Sequence, residues 1–178
     1  MRIISGTHRG RRIQAPKNIS ARPTTDLAKE ALFNILNNTY YWNECEVLDL
    51  YAGTGNISFE FASRGCTQIT AVDNDARSAA FIKKMAITLQ FPIEVFKSDV
   101  CRFLGKTKQD FDIIFADPPY SLSHENFAQI PTLVFEKDLL KDDGLLIIEH
   151  SKHTDLSGLE YFSESRKYGG SVFSFFSK

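Results

Sequence analysis

Short apolar segments alternate with amphipathic ones between residues 46 and 149, and this alternation restricts the fold more than any other feature of the sequence. The apolar segments have the length and residue types of strands, whereas the segments between them repeat apolar residues at helical spacing. Strands are predicted at 46–51, 68–73, 93–96, 112–117 and 145–149, and helices at 24–38, 57–64, 76–89, 100–104 and 126–140. Strands that alternate with helices form a parallel sheet covered on both faces.

The centre and one edge of this sheet can also be predicted. The segments 112–117 and 145–149 are apolar almost throughout, which is typical of central strands buried on both faces. Residues 161–167 and 171–176 predict a terminal hairpin that adds edge strands, at least one of them antiparallel. The fold class is therefore α/β and Rossmann-like, with a mostly parallel sheet.

The N-terminal segment differs from the rest of the chain. Two β-prone stretches, 2–5 and 11–14, flank a turn at 6–10, which predicts an N-terminal β-hairpin extension. We expect a basic arm over residues 1–23 and the main domain over residues 24–178.

The charge of this arm indicates a partner. It carries six basic side chains and no acidic one, which is typical of a segment that binds phosphates. A solvated hairpin explains the charge equally well. The candidate contacts to RNA are Arg9, Arg11, Arg12 and Arg22.

Composition narrows the class of protein. A length of 178 residues suits one domain, and 43% hydrophobic with 24% charged residues is typical of a globular protein. No apolar run approaches the ~18 residues of a membrane span and no signal-peptide pattern opens the chain, so we expect a cytoplasmic protein without membrane contact. The three cysteines form no Cys-x-x-Cys pair and the four histidines no ligand set, so neither a disulfide nor a metal site is expected.

Sheets of this kind bind ligands at the carboxyl ends of their strands, and the first predicted strand ends in suitable residues. Asp49 can accept hydrogen bonds from an amine, and Gly53 and Gly55 allow the backbone to approach a ligand. Ser58 stands where a dinucleotide fingerprint has its third glycine, which disfavours a pyrophosphate. A ligand with an amino-acid end and a nucleoside end fits better.

Acidic residues after the next two strands complete the predicted cofactor site. Asp73 stands where a carboxylate accepts both ribose hydroxyls, and capping of the next helix by Asp73 or Asp75 is the alternative. Asp99 can accept from an adenine amino group while the Val100 N–H donates to the ring, and a helix cap is again the alternative. Adenosine joined to methionine is S-adenosylmethionine, whose sulfonium charge suits several carboxylates. The predicted cofactor-binding residues are Asp49, Gly53, Thr54, Gly55, Asn56, Asp73, Asn74, Asp99 and Val100.

The segment Asp117-Pro118-Pro119-Tyr120 follows the fourth predicted strand directly and indicates the chemistry. The prolines fix the backbone and remove N–H donors, which leaves the Asp117 carboxylate and the Pro118 carbonyl as acceptors beside an aromatic ring. Two acceptors that take the hydrogens of an exocyclic NH2 group draw it toward tetrahedral geometry and direct its lone pair at a methyl donor. Asp117 can also receive the proton, and Tyr120 can stack on the base. The predicted catalytic residues are Asp117, Pro118 and Tyr120.

Motifs along the whole chain resemble those of the RsmD family, the 16S rRNA guanine-N2 methyltransferases of bacteria. The glycine turn and the Asp-Pro-Pro-Tyr segment identify amino-group methyltransferases, whereas the first ten residues and Arg-Pro-Thr-Thr-Asp at 22–26 narrow the resemblance to this family. The matching segments are 1–10, 22–26, 29–36, 47–55, 63–65, 115–120, 148–150 and 167–171.

The resemblance implies a seven-stranded class I methyltransferase fold with S-adenosylmethionine as donor. It implies a 16S rRNA (guanine(966)-N(2))-methyltransferase type of activity, on small ribosomal subunits or their assembly intermediates. It also implies that Arg22, Thr24 and Thr25 line or close the pocket, and Thr25 joins the predicted cofactor-binding residues. We expect a monomer. Asn56 stands where the family usually has a small residue.

Two other functions compete with this one. An adenine-N6 methyltransferase acting on DNA would use the same Asp-Pro-Pro-Tyr chemistry, although 178 residues leave no room for a separate target-recognition domain. An rRNA-binding assembly factor without activity would keep the fold, but it would not require Asp49, Asp73 and Asp117 together.

Overall fold

Seven strands form one sheet in the computed structural model, which describes residues 1–19 and 24–178. The strand order is β3-β2-β1-β4-β5-β7-β6. Strands β1 to β5 pair in parallel, and β7 runs antiparallel to both β5 and β6. The strands are β1 Glu46–Leu50, β2 Gln68–Asp73, β3 Ile93–Lys97, β4 Phe111–Ala116, β5 Leu140–Ser151, β6 Phe162–Tyr168 and β7 Ser171–Phe176.

Helices cover both faces of this sheet, because successive strand residues point to opposite sides. One core layer lies under α1, α2 and α3, and the other lies under α4 and α5. The helices are α1 Asp26–Leu36, α2 Asn56–Ser63, α3 Ala76–Leu89, α4 Val100–Leu104 and α5 His124–Glu136, and a short 3-10 helix covers Trp42–Glu44. The predicted Rossmann-like α/β fold is confirmed. None of the helices in residues 1–19 and 24–178 combines the length and apolar character of a transmembrane span.

The sequence prediction is wrong about where β5 begins and where the helix before it lies. This strand begins at Leu140, five residues before the predicted start, and pairs there with Phe111 before the register shifts. Asp143 adopts a positive φ of 60° at this irregularity, so the polar residues 141–144 belong to a strand that the apolar pattern does not show. The preceding helix α5 correspondingly ends at Glu136 instead of 140, and it begins at His124, where Ser123 caps it.

The N-terminal hairpin is held by α2 and shares the core of the main domain. A single bridge joins Arg2 to Arg12, so the two extended segments are shorter than predicted. Ile3 and Ile13 are buried in the same core layer as α1 and α2. Residues 1–13 are thus packed as part of the domain, and the boundary predicted at residue 23 lies outside the described residues.

The hairpin turn lies against the C-terminal end of α2 with no space for a side chain at Gly6. Thr7 N–H donates to Ser63 O at 2.7 Å, and a Cβ at Gly6 would lie 1.7 Å from the same carbonyl oxygen. Gly6 and Gly10 have nearly equal φ angles of 80° and 82°, but a Cβ at Gly10 would meet no atom within 4 Å.

Gly6→Ala is therefore expected to lower the free energy of unfolding by at least about 3 kcal/mol, because the methyl group forces the turn off α2 in addition to straining φ. Gly10→Ala adds only the φ strain and is expected to cost about 1 kcal/mol. Urea-induced unfolding of both variants measures the difference. Equal shifts of the two unfolding midpoints would show that the turn does not press on α2.

Candidate active site

The carboxyl end of β1 carries a carboxyl group that is almost completely enclosed. Asp49 is 2% exposed, and its Oδ2 accepts hydrogen bonds from the backbone N–H and the hydroxyl of Ser58 in α2. Burial raises the pKa of Asp49 to about 7, with a smaller contribution from the charge of Asp73 and an opposing one from Ser58. The site thus contains a carboxyl group that changes charge near neutral pH.

The turn that connects β1 to α2 has an unusual backbone. Tyr51, Gly53 and Gly55 all have positive φ angles, of 57°, 56° and 76°. A positive φ is uncommon for a side chain as large as tyrosine and occurs mostly where the surrounding structure enforces it. A Cβ at Gly55 would lie 2.9 Å from the ring of Phe59, so packing inside the protein, as well as the predicted approach of a ligand, requires glycine here.

Asp73, at the carboxyl end of β2, stabilises this turn by hydrogen bonds. Asp73 Oδ2 accepts from Gly53 N–H at 2.7 Å, and Oδ1 accepts from Asp75 N–H at 2.8 Å. Asp75, not Asp73, caps α3 by accepting from Arg77 N–H, so the cap alternative for Asp73 is excluded. The Asp73 carboxylate therefore links the loops that follow β1 and β2.

The third acidic residue does cap a helix. Asp99 is exposed at the carboxyl end of β3 and accepts from Arg102 N–H in the short helix α4. The cap alternative is thus correct for Asp99, and it leaves the second carboxylate oxygen outside the cap bond. Val100 is buried next to it, and Asn74 is exposed beside Asp73.

The turn at 117–120, which we call the proline turn, lies next to the turn at 51–55, the glycine turn, because β4 pairs directly with β1. Leu50 is aligned with Ala116, and Asp117 N–H donates to Leu50 O at 3.3 Å just beyond the last pair. Asp117 is half-buried, Pro118 is buried and Tyr120 is 40% exposed. A hydrogen bond of 2.8 Å from Leu122 N–H to Pro119 O closes the turn. The predicted catalytic residues are therefore grouped at the edge of the sheet where the predicted cofactor residues lie.

Lys29 and Glu60, which are not among the predicted site residues, form a buried ion pair that supports this edge. Lys29 is fully buried in α1, and its Nζ lies 3.2 Å from Glu60 Oε2 of α2. The same ammonium donates to Arg2 O at 2.7 Å and to Asn56 Oδ1 at 2.9 Å. Burial lowers the pKa of Lys29, against the opposing effect of Glu60. The spacing of α1 gave one signal, since a lysine occupies a position on its apolar face.

Glu60 accepts the other hydrogen bonds that surround this ion pair. It accepts from the backbone N–H groups of Ile4 and Ser5 at 2.9 and 3.0 Å and from Arg64 Nε at 2.9 Å. The network continues toward the site, because Asn56 Nδ2 donates to Thr24 O and Thr24 Oγ1 donates to the buried Glu149 at the end of β5. One connected set of hydrogen bonds thus joins the hairpin, α1, α2 and β5.

Known proteins match this chain over most of its length. A family model described as conserved hypothetical protein 95 matches residues 1–177. Ribosomal RNA small subunit methyltransferase D of Haemophilus influenzae is 35% identical over 162 residues, which cover 88% of this chain and 81% of that protein. The chain belongs to the RsmD family. It is therefore a methyltransferase of a family that includes rRNA small subunit methyltransferases, as the motifs predicted.

Solved structures share the fold of this chain. Hypothetical protein TTHA0928 of Thermus thermophilus superposes with a TM-score of 0.86 at 26% identity, over 100% of this chain and 99% of that one. SMU.776, solved complexed with SAH, has a TM-score of 0.68 at 18% identity, over 86% of this chain and 50% of that one, and shows the fold alone. The class I methyltransferase fold is confirmed, and S-adenosylmethionine is the donor used by this fold class.

Several residues expected at the site of this RsmD chain have side chains engaged elsewhere. The Asn56 side chain accepts from Lys29 and donates to the carbonyl oxygen of Thr24, so it is engaged within the protein. Thr25 caps α1 by accepting from Ala28 N–H, which confirms the cap predicted for Thr24 or Thr25. Thr54 is buried within the glycine turn.

The predicted RNA contacts are only partly described. Arg9, Arg11 and Arg12 are exposed on the hairpin, whereas Arg22 lies outside the described residues. Arg12 is bridged to Arg2, close to the α1 start, and Arg9 lies in the turn over the far end of α2. Among the described residues, no group of three or more His, Cys, Asp or Glu side chains is arranged to hold a metal.

Lys29→Met is expected to lower the free energy of unfolding by about 3 kcal/mol, because it leaves the buried Glu60 with one cation fewer and removes the donor to Arg2 and Asn56. Lys83→Met on the exposed face of α3 makes the same chemical change and is expected to stay within about 0.5 kcal/mol. Urea unfolding compares the two. If both variants unfold at the wild-type midpoint, the ion pair does not stabilise the fold.

Proposed function

We propose that this RsmD protein transfers the methyl group of S-adenosylmethionine to the exocyclic N2 amine of a guanine in 16S rRNA, of the guanine-966 type. The observation that carries the proposal is the alignment of β1 with β4. It places the acceptors of the proline turn beside the glycine turn, one strand away from Asp49 and two from Asp73. A donor site and an amine site would therefore share one edge of the sheet.

The residues present fit S-adenosylmethionine. Asp49 offers a buried carboxyl group for the methionine ammonium, Asp73 a braced carboxylate for the ribose hydroxyls, and Asp99 a carboxylate oxygen outside the cap bond for the adenine amine. These three groups follow β1, β2 and β3, which are adjacent in the sheet, in the order of the parts of the cofactor. The bound cofactor would supply an electrophilic methyl group on a positively charged sulfur.

The protein contributes orientation and a proton acceptor. The Pro118 carbonyl and the Asp117 carboxylate would accept the two N–H bonds of the guanine amine, which localises its lone pair on nitrogen. The cofactor would supply the methyl carbon and keep the C–S electron pair on its sulfur as a neutral thioether, and Asp117 or water would take the proton that the methylated amine loses. Tyr120, which is 40% exposed, offers a face on which the base can stack. Alignment of reacting groups at about 3 Å accounts for most of such a rate gain.

An RNA substrate is favoured over duplex DNA by the names of the relatives. Two of the proteins that match over most of the chain, from Haemophilus influenzae and Escherichia coli, are named ribosomal RNA small subunit methyltransferase D. Arg9, Arg11 and Arg12 are exposed on a hairpin that the domain holds rigidly, so they would contact phosphates from a fixed position. We propose that these arginines orient the rRNA.

Asp117→Ala is expected to lower methyl transfer at least about 10³-fold while cofactor affinity changes less than about threefold, because Asp117 acts on the amine and not on the donor. The assay is incorporation of labelled methyl groups into small-subunit particles from cells lacking this protein, followed by mass mapping of the nucleotide. Asp110→Ala, the same change at an exposed residue next to the opposite end of β4, is the matched control and is expected to keep wild-type rates. Unchanged turnover by Asp117→Ala would contradict the mechanism, and a methylated adenine would contradict the substrate.

Cofactor affinity is expected to rise about tenfold from pH 5.5 to 7, because Asp49 with a pKa of about 7 must lose its proton before it pairs with an ammonium. The ammonium of the ligand, whose pKa is near 8, stays charged in this range. Calorimetric titration in buffers of different ionisation enthalpy measures the affinity and the proton released. Asp49→Asn is expected to bind more weakly and without this pH dependence. An affinity that is flat in the wild type would remove Asp49 from the ammonium site.

A further inference from the structure

A cleft of about 490 Å³ opens at the carboxyl ends of the strands. It lies on the other side of the proline turn from β1, β2 and β3, whose ends carry the residues proposed for the cofactor. We call it the edge cleft. One wall comes from the segment after the proline turn and the start of α5, with Leu122, His124 and Phe127, and the other from the loop after β5, with His153 and Asp155. None of these side chains belongs to the site described above.

The sheet order gives the edge cleft its place relative to the reaction. The residues proposed for the cofactor follow β3, β2 and β1, the proline turn follows β4, and the cleft lies between the segments that follow β4 and β5. The amine to be methylated must approach Asp117 from the side that the donor does not occupy. A nucleic-acid strand that carries this amine would therefore pass over the edge cleft.

Contacts within the protein fix the walls of the cleft. His124 Nε2 lies 3.0 Å from Asp155 O, which ties the two walls together. The carboxylate of Asp155 accepts from Ser157 N–H at 2.9 Å. Phe127 and Leu156 are each 1% exposed and anchor the walls in the core. The cleft is thus preformed, which reduces the entropic cost of binding.

The exposed groups of the cleft suit a nucleobase. An imidazole ring offers a flat face for stacking, and a carboxylate oxygen accepts from the N–H groups on a base edge. The volume lies within the range of small-molecule pockets and accommodates one nucleotide. A phosphate is a poorer occupant, because Asp155 would repel it.

We propose that the edge cleft binds the base of a nucleotide next to the methylated one in the RNA strand, with His153 stacking on the base and Asp155 accepting its N–H groups. The inference rests on the proposed function, because it requires RNA as the substrate. His153 and Asp155 would then determine which sequence or loop is accepted, and Asp117 would remain the residue that acts on the amine.

The test uses full-length His153→Ala and Asp155→Asn with small-subunit particles from cells lacking this protein. Loss of one stacking ring or one base acceptor is expected to raise KM for the particle about tenfold, with kcat and cofactor affinity within about threefold of wild type. Asp142→Asn, an equal change at the opposite end of β5, is the control and is expected to leave KM unchanged.

Chemical probing of the Watson–Crick edges of the rRNA in the same mixtures identifies the occupant. Wild-type protein is expected to protect the methylated guanine and one neighbouring base, and both variants are expected to lose only the neighbouring protection. If both variants keep the wild-type KM and the full protection pattern while the wild type methylates the particle, this inference is overturned and the proposed function stands. If the wild type methylates no RNA, both are overturned.

Discussion

The arrangement of the candidate active site at the carboxyl ends of the strands depends on one buried ion pair. Lys29 and Glu60 meet in the core, where an isolated charge is costly, and each is almost fully surrounded by partners. Glu60 takes two backbone N–H groups of the hairpin, and Lys29 takes one backbone carbonyl of it and the side chain of Asn56. A charge pair of this kind tolerates little displacement, because any shift leaves a buried group without a partner. It therefore fixes the hairpin, α1 and the start of α2 in one relative position.

That position matters because the start of α2 follows the glycine turn. Tyr51, Gly53 and Gly55 hold left-handed backbone angles there, and such strained turns persist only when neighbouring structure enforces them. Asp49 accepts a hydrogen bond from Ser58 of α2, and Asp73 accepts one from Gly53 of the turn. Asn56, the first residue of α2, accepts one from Lys29 of α1. The hairpin that carries the exposed arginines and the turn proposed to hold the donor are thus attached to the same short helix.

Most of the fold could be predicted, since it follows from local periodicity. The predicted bounds of β2, α3 and α4 agree with the structure, because each has clear flanking signals and a regular pattern. The predicted start of β5 was wrong because polar residues, including Asp143 with a positive φ, interrupt the apolar run of this strand. The position of the predicted site also followed from the sequence, since residues after adjacent parallel strands must meet at one edge. What the pattern could not show was how their side chains are used: Asp75 caps a helix and Asp73 does not, and Asn56 points to Lys29.

The sequence by itself therefore determined the strand–helix alternation, the family motifs and the group of residues at the carboxyl edge, because each depends on residues close together in the chain or on a rule of sheet topology. Only the tertiary structure decided that Lys29 pairs with Glu60, that Thr24 reaches Glu149 and that the loops after β4 and β5 enclose a cleft. Thr24 and Glu149 are 125 positions apart, and no periodic pattern relates residues at such separations. Their contact follows from packing, in which buried polar groups must find partners wherever the fold brings them together.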